Sequence, residues 1–239
     1  MAVTALQTVR REPPATLPPG WRYREARAVD KWILAADLGQ STDPTAICAL
    51  NYRVCPHAEW TPDEKLKTWT QKSDEFFDVR HLERLPLGTP YPAQVQHVAS
   101  LLTRPPLTAA ALVIDETGVG RAVGDIFDTA GLRPNRITIT AGMETTQHGA
   151  RAWHVPKAQL ISGVDARLHT GELRIAAALR DAGALADELK DFQRKVSDAG
   201  RSTWAARTGK HDDLVLAVAI ALWFAISGPA PTIVERFPF

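Results

Sequence analysis

Two apolar runs near residue 40 set the pattern of the chain. Ile33 to Ala36 ends abruptly at Asp37, a polar stretch of Gln40, Ser41, Thr42 and Asp43 follows Gly39, and a second apolar run begins after Pro44. This pattern predicts strands over 33–37 and 45–52 joined as a hairpin, with a carboxylate at the tip of the first strand. β-forming residues over 67–80 predict a third strand, completing an antiparallel meander. The intervening 53–66, with Pro56 and Pro62, reads as a loop. Pro92 suits the first turn of a helix, and Val95, Val98, Leu101 and Leu102 repeat at helical spacing up to residue 102.

Ala109 to Ile114 is continuously apolar, the mark of a buried parallel strand, and it ends in Asp115 and Glu116. Gly118 and Gly120 open a helix over 121–130, with Val123, Ile126 and Phe127 on its inner face and Gly131 ending it. A short β-run follows over 136–140. Helix, strand, helix, strand over 91–140 is the order of an α/β fold. The polar segment 141–154 reads as a mobile loop. Beyond it the pattern predicts a helix from Pro156 to about Gly171, a strand over 173–176, and an amphipathic helix over 178–195. A hairpin or extended loop over 196–208 precedes a closing helix over 211–226.

Composition narrows the class. The chain has 239 residues, 45% hydrophobic and 23% charged, enough apolar material for one large domain or two small ones. Its net charge of +1 gives no global field toward nucleic acid. Cys48 and Cys55 are too few for a disulfide framework and are not spaced as a zinc half-site, so a reducing cytoplasm is expected. No apolar signal segment opens the chain, and the apolar run Leu214–Ile226 is too short to span a bilayer. No membrane partner is expected. The proline- and arginine-bearing residues 1–28 read as a flexible leader, 29–228 as the folded domain and 229–239 as a tail.

The chemistry gathers in carboxylates. Asp37 and Asp115 lie at the ends of apolar strands, and Asp212 and Asp213 begin an apolar helix. Ligands of open α/β sheets collect beyond the carboxyl ends of parallel strands. If the strands ending in Asp37 and Asp115 are adjacent and parallel, the two aspartates sit side by side, and the helix start brings one or both of its own beside them. Carboxylates this close require a counter-charge, which divalent cations supply. Two such ions about 3.5–4 Å apart clamp the attacking and leaving oxygens of a phosphoryl displacement. Alone, each piece has a structural reading: an Asx turn for Asp37 and Asp43, helix capping for Asp115 with Glu116 and for Asp212 with Asp213. Their joint order is the informative feature.

In these segments the chain resembles the nuclease domain of the large subunit of phage terminases, within the RNase H-like (retroviral integrase-like) superfamily. AADLGQSTDPTAI is similar to its first acidic motif, and LPLGTPYPAQVQHVASLL to its connecting helix. VIDETGVGRAVGDIF is similar to the second acidic motif, while HVPKAQLISGVDARLHTGELRI and the terminal HDDLVLAVAIALW also fit. The resemblance runs in order over about 30–226. It implies an α/β RNase H-like fold with a central mixed five-stranded sheet flanked by helices. It also implies a nuclease that uses two Mg²⁺ or Mn²⁺ ions to cut concatemeric double-stranded DNA during genome packaging. Asp37, Asp115 and Asp213 would be the catalytic metal ligands, with Asp212 as the neighbouring candidate. His211 and Lys157 would face phosphate. Family members usually carry an ATPase motor, and no G-x-x-x-x-G-K-[ST] motif occurs here. The expectation is an isolated nuclease domain, with a motor, a small terminase subunit and a portal as separate partners.

Between 190 and 210, Lys190, Arg194, Lys195, Arg201, Arg207 and Lys210 stand against Asp191 and Asp198. Such a patch suits the DNA backbone and makes binding salt-dependent; its structural alternative is a solvated helix face. No base-reading element is visible, so sequence preference is expected to be slight. Two rivals keep other chemistry open: a Holliday-junction resolvase or other RNase H-like nuclease, and a non-catalytic DNA-binding or assembly module of a packaging machine.

Overall fold

The computed structural model describes residues 13–39, 42–196, 202–206, 211–227 and 234–236. The chain divides into two compact units, one of Lys31–Tyr52 with Phe76–Gly228, the other of Met1–Asp30, Arg53–Glu75 and Pro229–Phe239. The strands in chain order are β1 (Arg22–Glu25), β2 (Val29–Asp37), β3 (Ala46–Asp63), β4 (Thr68–Arg84), β5 (Ala111–Asp115) and β6 (Asn135–Thr140). They continue with β7 (Thr146–Gln147), β8 (Ala152–Pro156), β9 (Leu173–Ile175), β10 (Phe192–Val196), β11 (Ser202–Ala206) and β12 (Val234–Arg236). The helices are α1 (Tyr91–Leu102), α2 (Arg121–Thr129), α3 (Lys157–His169), α4 (Ala182–Asp191) and α5 (Asp213–Ser227).

The larger unit is organised by a mixed sheet in the order β4-β3-β2-β5-β6-β8-β7, with β9 paired to β4. The expected five strands, β4-β3-β2-β5-β6, are contiguous in it, and among the described residues β8, β7 and β9 extend it beyond five. Strands β3 and β4 are neighbours joined by only 64–67, too short for a parallel crossover, so they run antiparallel. Strands β2, β5, β6 and β8 run parallel. Alternation along each strand sends successive side chains to opposite faces. Leu34, Ala36, Ile47, Ala49, Leu112 and Ile114 join Val95, Val98 and Leu101 of α1 and Val123 and Phe127 of α2 in one buried cluster. The helical periodicities read from the sequence therefore point inward as expected. Helix α5 packs on α3, α4 and β5, and every residue from Asp213 to Ala225 is buried. Enclosure on several sides explains why it is apolar all round.

In the smaller unit, β1 pairs in parallel with β4 at Thr68–Thr70 and antiparallel with β12. Tyr23 meets Trp60 edge-on at 5.9 Å. Of the expected leader, residues 1–12 lie outside the described residues, and Arg22–Glu25 is a strand. Of the tail, Val234–Arg236 is a strand.

Three differences from the sequence reading concern element extent. The segment 53–66, read as a loop, is strand to Asp63 despite Pro56 and Pro62. Proline is tolerated where its missing N–H has no ladder partner. The nine residues of β2 cannot pair all eighteen of β3, so the distal half of β3, which carries both prolines, has an open side. The segment 141–154, read as a loop, includes β7 and the start of β8. The helix read over 178–195 ends at Asp191, and Phe192–Val196 is instead β10, paired antiparallel with β11, so the paired strands begin before the 196–208 segment read as a hairpin or loop.

Helix α2 rides close over an ion pair. A Cβ on Gly124 would lie 2.1 Å from Glu116 Oε1 and 2.7 Å from Arg136 Nη1. Those two side chains pair at 3.2 Å, and Arg136 Nη2 also donates to Asp128 at 2.5 Å. Gly124→Ala must displace the ends of these two side chains, and where that weakens the pair it is expected to cost about 1–3 kcal/mol. Urea unfolding reads this directly; an unchanged midpoint would mean that the pair shifts aside without loss.

Candidate metal and phosphate cleft

Register decides the centre of the site. Strands β2 and β5 align Ile33 with Ala111 through to Asp37 with Asp115, so the two aspartates are side-by-side partners at the carboxyl ends of parallel strands. Ile33–Ala36 and Leu112–Ile114 before them are buried, which fixes the strands and leaves each carboxylate as the first polar group beyond the core. Asp37, Asp115, Asp212, Asp213 and Lys157 line one cleft of about 670 Å³, walled by Thr42, Asp43 and Tyr91 on one side and by Thr117 and 139–143 elsewhere.

Each carboxylate has its own setting. Asp115 is buried, and its Oδ1 accepts both the backbone N–H (2.8 Å) and the hydroxyl (2.5 Å) of Thr117. The Thr117 hydroxyl in turn accepts Ile139 N–H at 2.6 Å, which ties β6 to the end of β5. Burial raises the Asp115 pKa, while the Thr117 bonds, Ile139 N–H and Lys157 oppose that rise. Asp37 is pushed well above the usual carboxylate range, first by burial and then by the negative charges of Asp115, Asp212 and Asp213. Lys157, at the start of α3, pulls it down and donates to Asp212 Oδ2 at 2.6 Å. Asp213 is buried and bonded by Arg84, with Nε donating to Oδ2 at 2.5 Å and Nη2 to Oδ1 at 3.3 Å. His211 Nδ1 stands 3.6 Å from Asp43 Oδ1 and 3.8 Å from Asp213 Oδ1.

The turn after Asp37 is held by residues that the sequence reading passed over. Gly39 N donates to Thr45 Oγ1 at 3.0 Å, and Gly39 O accepts Gln94 Nε2 at 2.8 Å. Thr45 Oγ1 lies 2.8 Å from Gln94 Oε1, and both side chains are buried. Thr117 was legible as the third residue of an Asp-x-Thr turn. Arg84, Thr45 and Gln94 carried no such signal.

Of the expected phosphate-facing residues, Lys157 and His211 belong to this site. For Arg194 and Lys195 only the backbone, on β10, is described; Arg201, Arg207 and Lys210 lie outside the described residues. Lys190 pairs with Asp187 on the surface of α4.

Among the described residues no group of three or more His, Cys, Asp or Glu side chains is gathered as a metal-binding cluster. Lys157 engages Asp212 and Arg84 engages Asp213. The donor set itself fits a hard divalent cation. Four carboxylates share one cleft with Lys157, and Arg84, which bonds Asp213, is also paired with Glu188. Burial first, and then the neighbouring negative charges, raise Asp37, and all-oxygen ligands suit Mg²⁺ or Mn²⁺. No helix among the described residues is long and apolar enough to cross a membrane.

Neither a family model nor a curated protein sequence matches the chain. Solved structures match it in fold. The large terminase nuclease domain of Thermus phage P74-26 aligns with a TM-score of 0.56 at 18% identity, over 85% of this chain and 84% of that one. The large terminase nuclease of thermophilic phage G20c with bound magnesium aligns with a TM-score of 0.53 at 20% identity, over 83% and 84%. The same nuclease with bound cobalt gives 0.52 at 20% identity, over 81% and 80%.

Proposed function

We propose that this chain, which has the RNase H-like fold of large terminase nuclease domains, is a metal-dependent endonuclease that cuts double-stranded DNA during viral genome packaging. One observation carries the reading: Asp37 and Asp115 are register partners in a cleft that also receives Asp212 and Asp213 from the start of α5. A structural role alone gives no reason to crowd these carboxylates until Asp37 resists ionisation. The G20c nuclease, with magnesium or cobalt bound, supports divalent cations as the missing counter-charge.

In this mechanism Asp37 and Asp115 hold the cation or cations, joined by Asp213 or Asp212. Bound there, a divalent cation offsets the phosphate charge and makes water a competent nucleophile near neutral pH. The chain's own groups do the rest. Thr117 fixes the Asp115 carboxylate with two donors to one oxygen, so the rotamer is set before substrate arrives. Lys157 places an ammonium in the cleft, where it attracts the phosphodiester and offsets the charge developing in the transition state. Tyr91 and the 139–143 segment flank the cleft. A water oxygen bonds to phosphorus and releases one proton to solvent, the opposite P–O bond breaks, and the departing oxygen takes a proton from solvent. A packaging motor, a small terminase subunit and a portal are the partners this reading implies.

The test is plasmid cleavage by the purified chain in Mn²⁺, Mg²⁺ or EDTA. The expected result is nicking and linearisation with either metal and none in EDTA. Cleavage that persists in EDTA, or an absence of cutting and of metal-dependent DNA binding together, would overturn the proposal.

A further inference from the structure

Arg84 ends β4 and is held from both directions. Its backbone N–H donates to Asp181 Oδ2 at 3.0 Å, just ahead of α4. Its guanidinium reaches Asp213 in the cleft with Nε and Nη2, and Nη2 also pairs with Glu188 of α4. Glu188 is 7% exposed and is itself fixed, its Oε2 accepting Val215 N–H at 3.0 Å in the first turn of α5. One permanently charged fork therefore stands between two buried carboxylates. One of these opens on the cleft, and the other lies on α4 against the first turn of α5.

We propose that Arg84 is an exchangeable counter-ion for Asp213: it neutralises this carboxylate while the cleft is metal-free, and withdraws onto Glu188 when a divalent cation takes its place. The inference rests on the reading of the cleft as a divalent-cation site. Asp213 is the buried aspartate of the pair at the helix start, and both its oxygens are engaged by Arg84. Left alone in a cleft with three other carboxylates, its charge would be costly. Arg84 removes that cost in the metal-free protein. A guanidinium cannot lose its proton, so it yields the site only by moving, and stranding it without a partner would be prohibitive. Glu188 gives it somewhere to remain. Arg84 is thus a positioning residue acting through Asp213, and it makes α4 part of the cation response.

The test measures Mn²⁺ affinity by calorimetry, with melting temperature in EDTA and in Mn²⁺ as a second readout. Glu188→Gln keeps an acceptor for Val215 N–H but removes the anion that receives Arg84. It is expected to weaken Mn²⁺ binding about tenfold, since one charge a few ångströms away is worth at least that much. The double variant Arg84→Met with Glu188→Gln removes the competing cation and its balancing anion together. It is expected to bind Mn²⁺ about tenfold more tightly than wild type, melt lower in EDTA, and regain more on adding Mn²⁺. Opposite signs are the signature, because loss of a merely structural salt bridge would not tighten metal binding. Should the double variant fold poorly, Arg84→Lys retains the charge without the two-pronged contact and is expected to tighten binding about threefold. Unchanged or weaker Mn²⁺ binding in these Arg84 variants would overturn the inference. The cation-site reading would survive that result if wild type binds Mn²⁺ and Asp37→Asn does not. Absence of Mn²⁺ binding by wild type would overturn both.

Discussion

Asp37→Asn is expected to abolish DNA cleavage and yet raise the melting temperature of the metal-free protein. The two effects have one cause. Asp37 lies in register with Asp115 and faces the charges of Asp212 and Asp213, so its carboxyl is held well above the usual range by burial and repulsion. The unfolded chain titrates this group near 3.8. At pH values between that and the raised folded value, the native state binds the extra proton. The stabilisation is complete below the unfolded pKa and is lost as pH rises through the folded one. Metal-free wild type should therefore weaken on going from acid toward neutral pH. Asparagine is isosteric and uncharged, so this part of the pH dependence should vanish and the variant should melt higher at pH 7 in EDTA. Manganese should stabilise wild type and not the variant. Cleavage should fall at least about a hundredfold, the scale of losing a preorganised electrostatic group. Melting curves from pH 4 to 8 in EDTA, beside a plasmid assay in Mn²⁺, separate the claims. A variant that melts below wild type at pH 7 would refute the repulsion argument, and one that still cuts would remove Asp37 from the chemistry.

Gly39→Ala should damage the cleft without touching a carboxylate. A Cβ there would lie 2.1 Å from Asp43 O, 2.7 Å from Asp43 C and 2.9 Å from Pro44 O. These are backbone atoms and cannot rotate away, so the turn must open. Opening it pulls Gly39 from Thr45 and Gln94, which bind its N–H and C=O, and shifts the cleft wall that includes Thr42 and Asp43. The core beneath is made by other residues and should survive, so the expected destabilisation is about 1–3 kcal/mol. Cleavage should drop about a hundredfold, as a displacement near 1 Å at reacting groups commonly costs. Urea unfolding and Mn²⁺-dependent cleavage measured on one preparation test this; near-normal cleavage would show that the loop is not part of the working site.

Much of the fold was legible because burial leaves a local trace. The apolar run before Asp115 had to be a covered strand, and Val95, Val98 and Leu101 could share a face only on a helix. Strand length was less legible. Pro56 and Pro62 read as breaks because the sequence does not reveal that their half of β3 has an open side. The cleft was legible as far as its aspartates, since each marks where an apolar element meets polar surroundings. The basic patch over 190–210 gave a composition without an arrangement.

Sequence alone thus determined the central strands and helices from 33 to 140 and the positions of Asp37, Asp115, Asp212 and Asp213 at the ends of apolar elements, because hydrophobic periodicity encodes burial residue by residue. Only tertiary structure decided which charges meet. Arg84 and Asp213 are 129 residues apart, Lys157 and Asp212 are 55 apart, and Gln94 reaches Gly39 across 55. Any of the chain's 28 basic residues could have answered those aspartates on composition alone. The choice was made when β4, α3 and α5 docked, because an ion pair depends on distances between elements that no local pattern records.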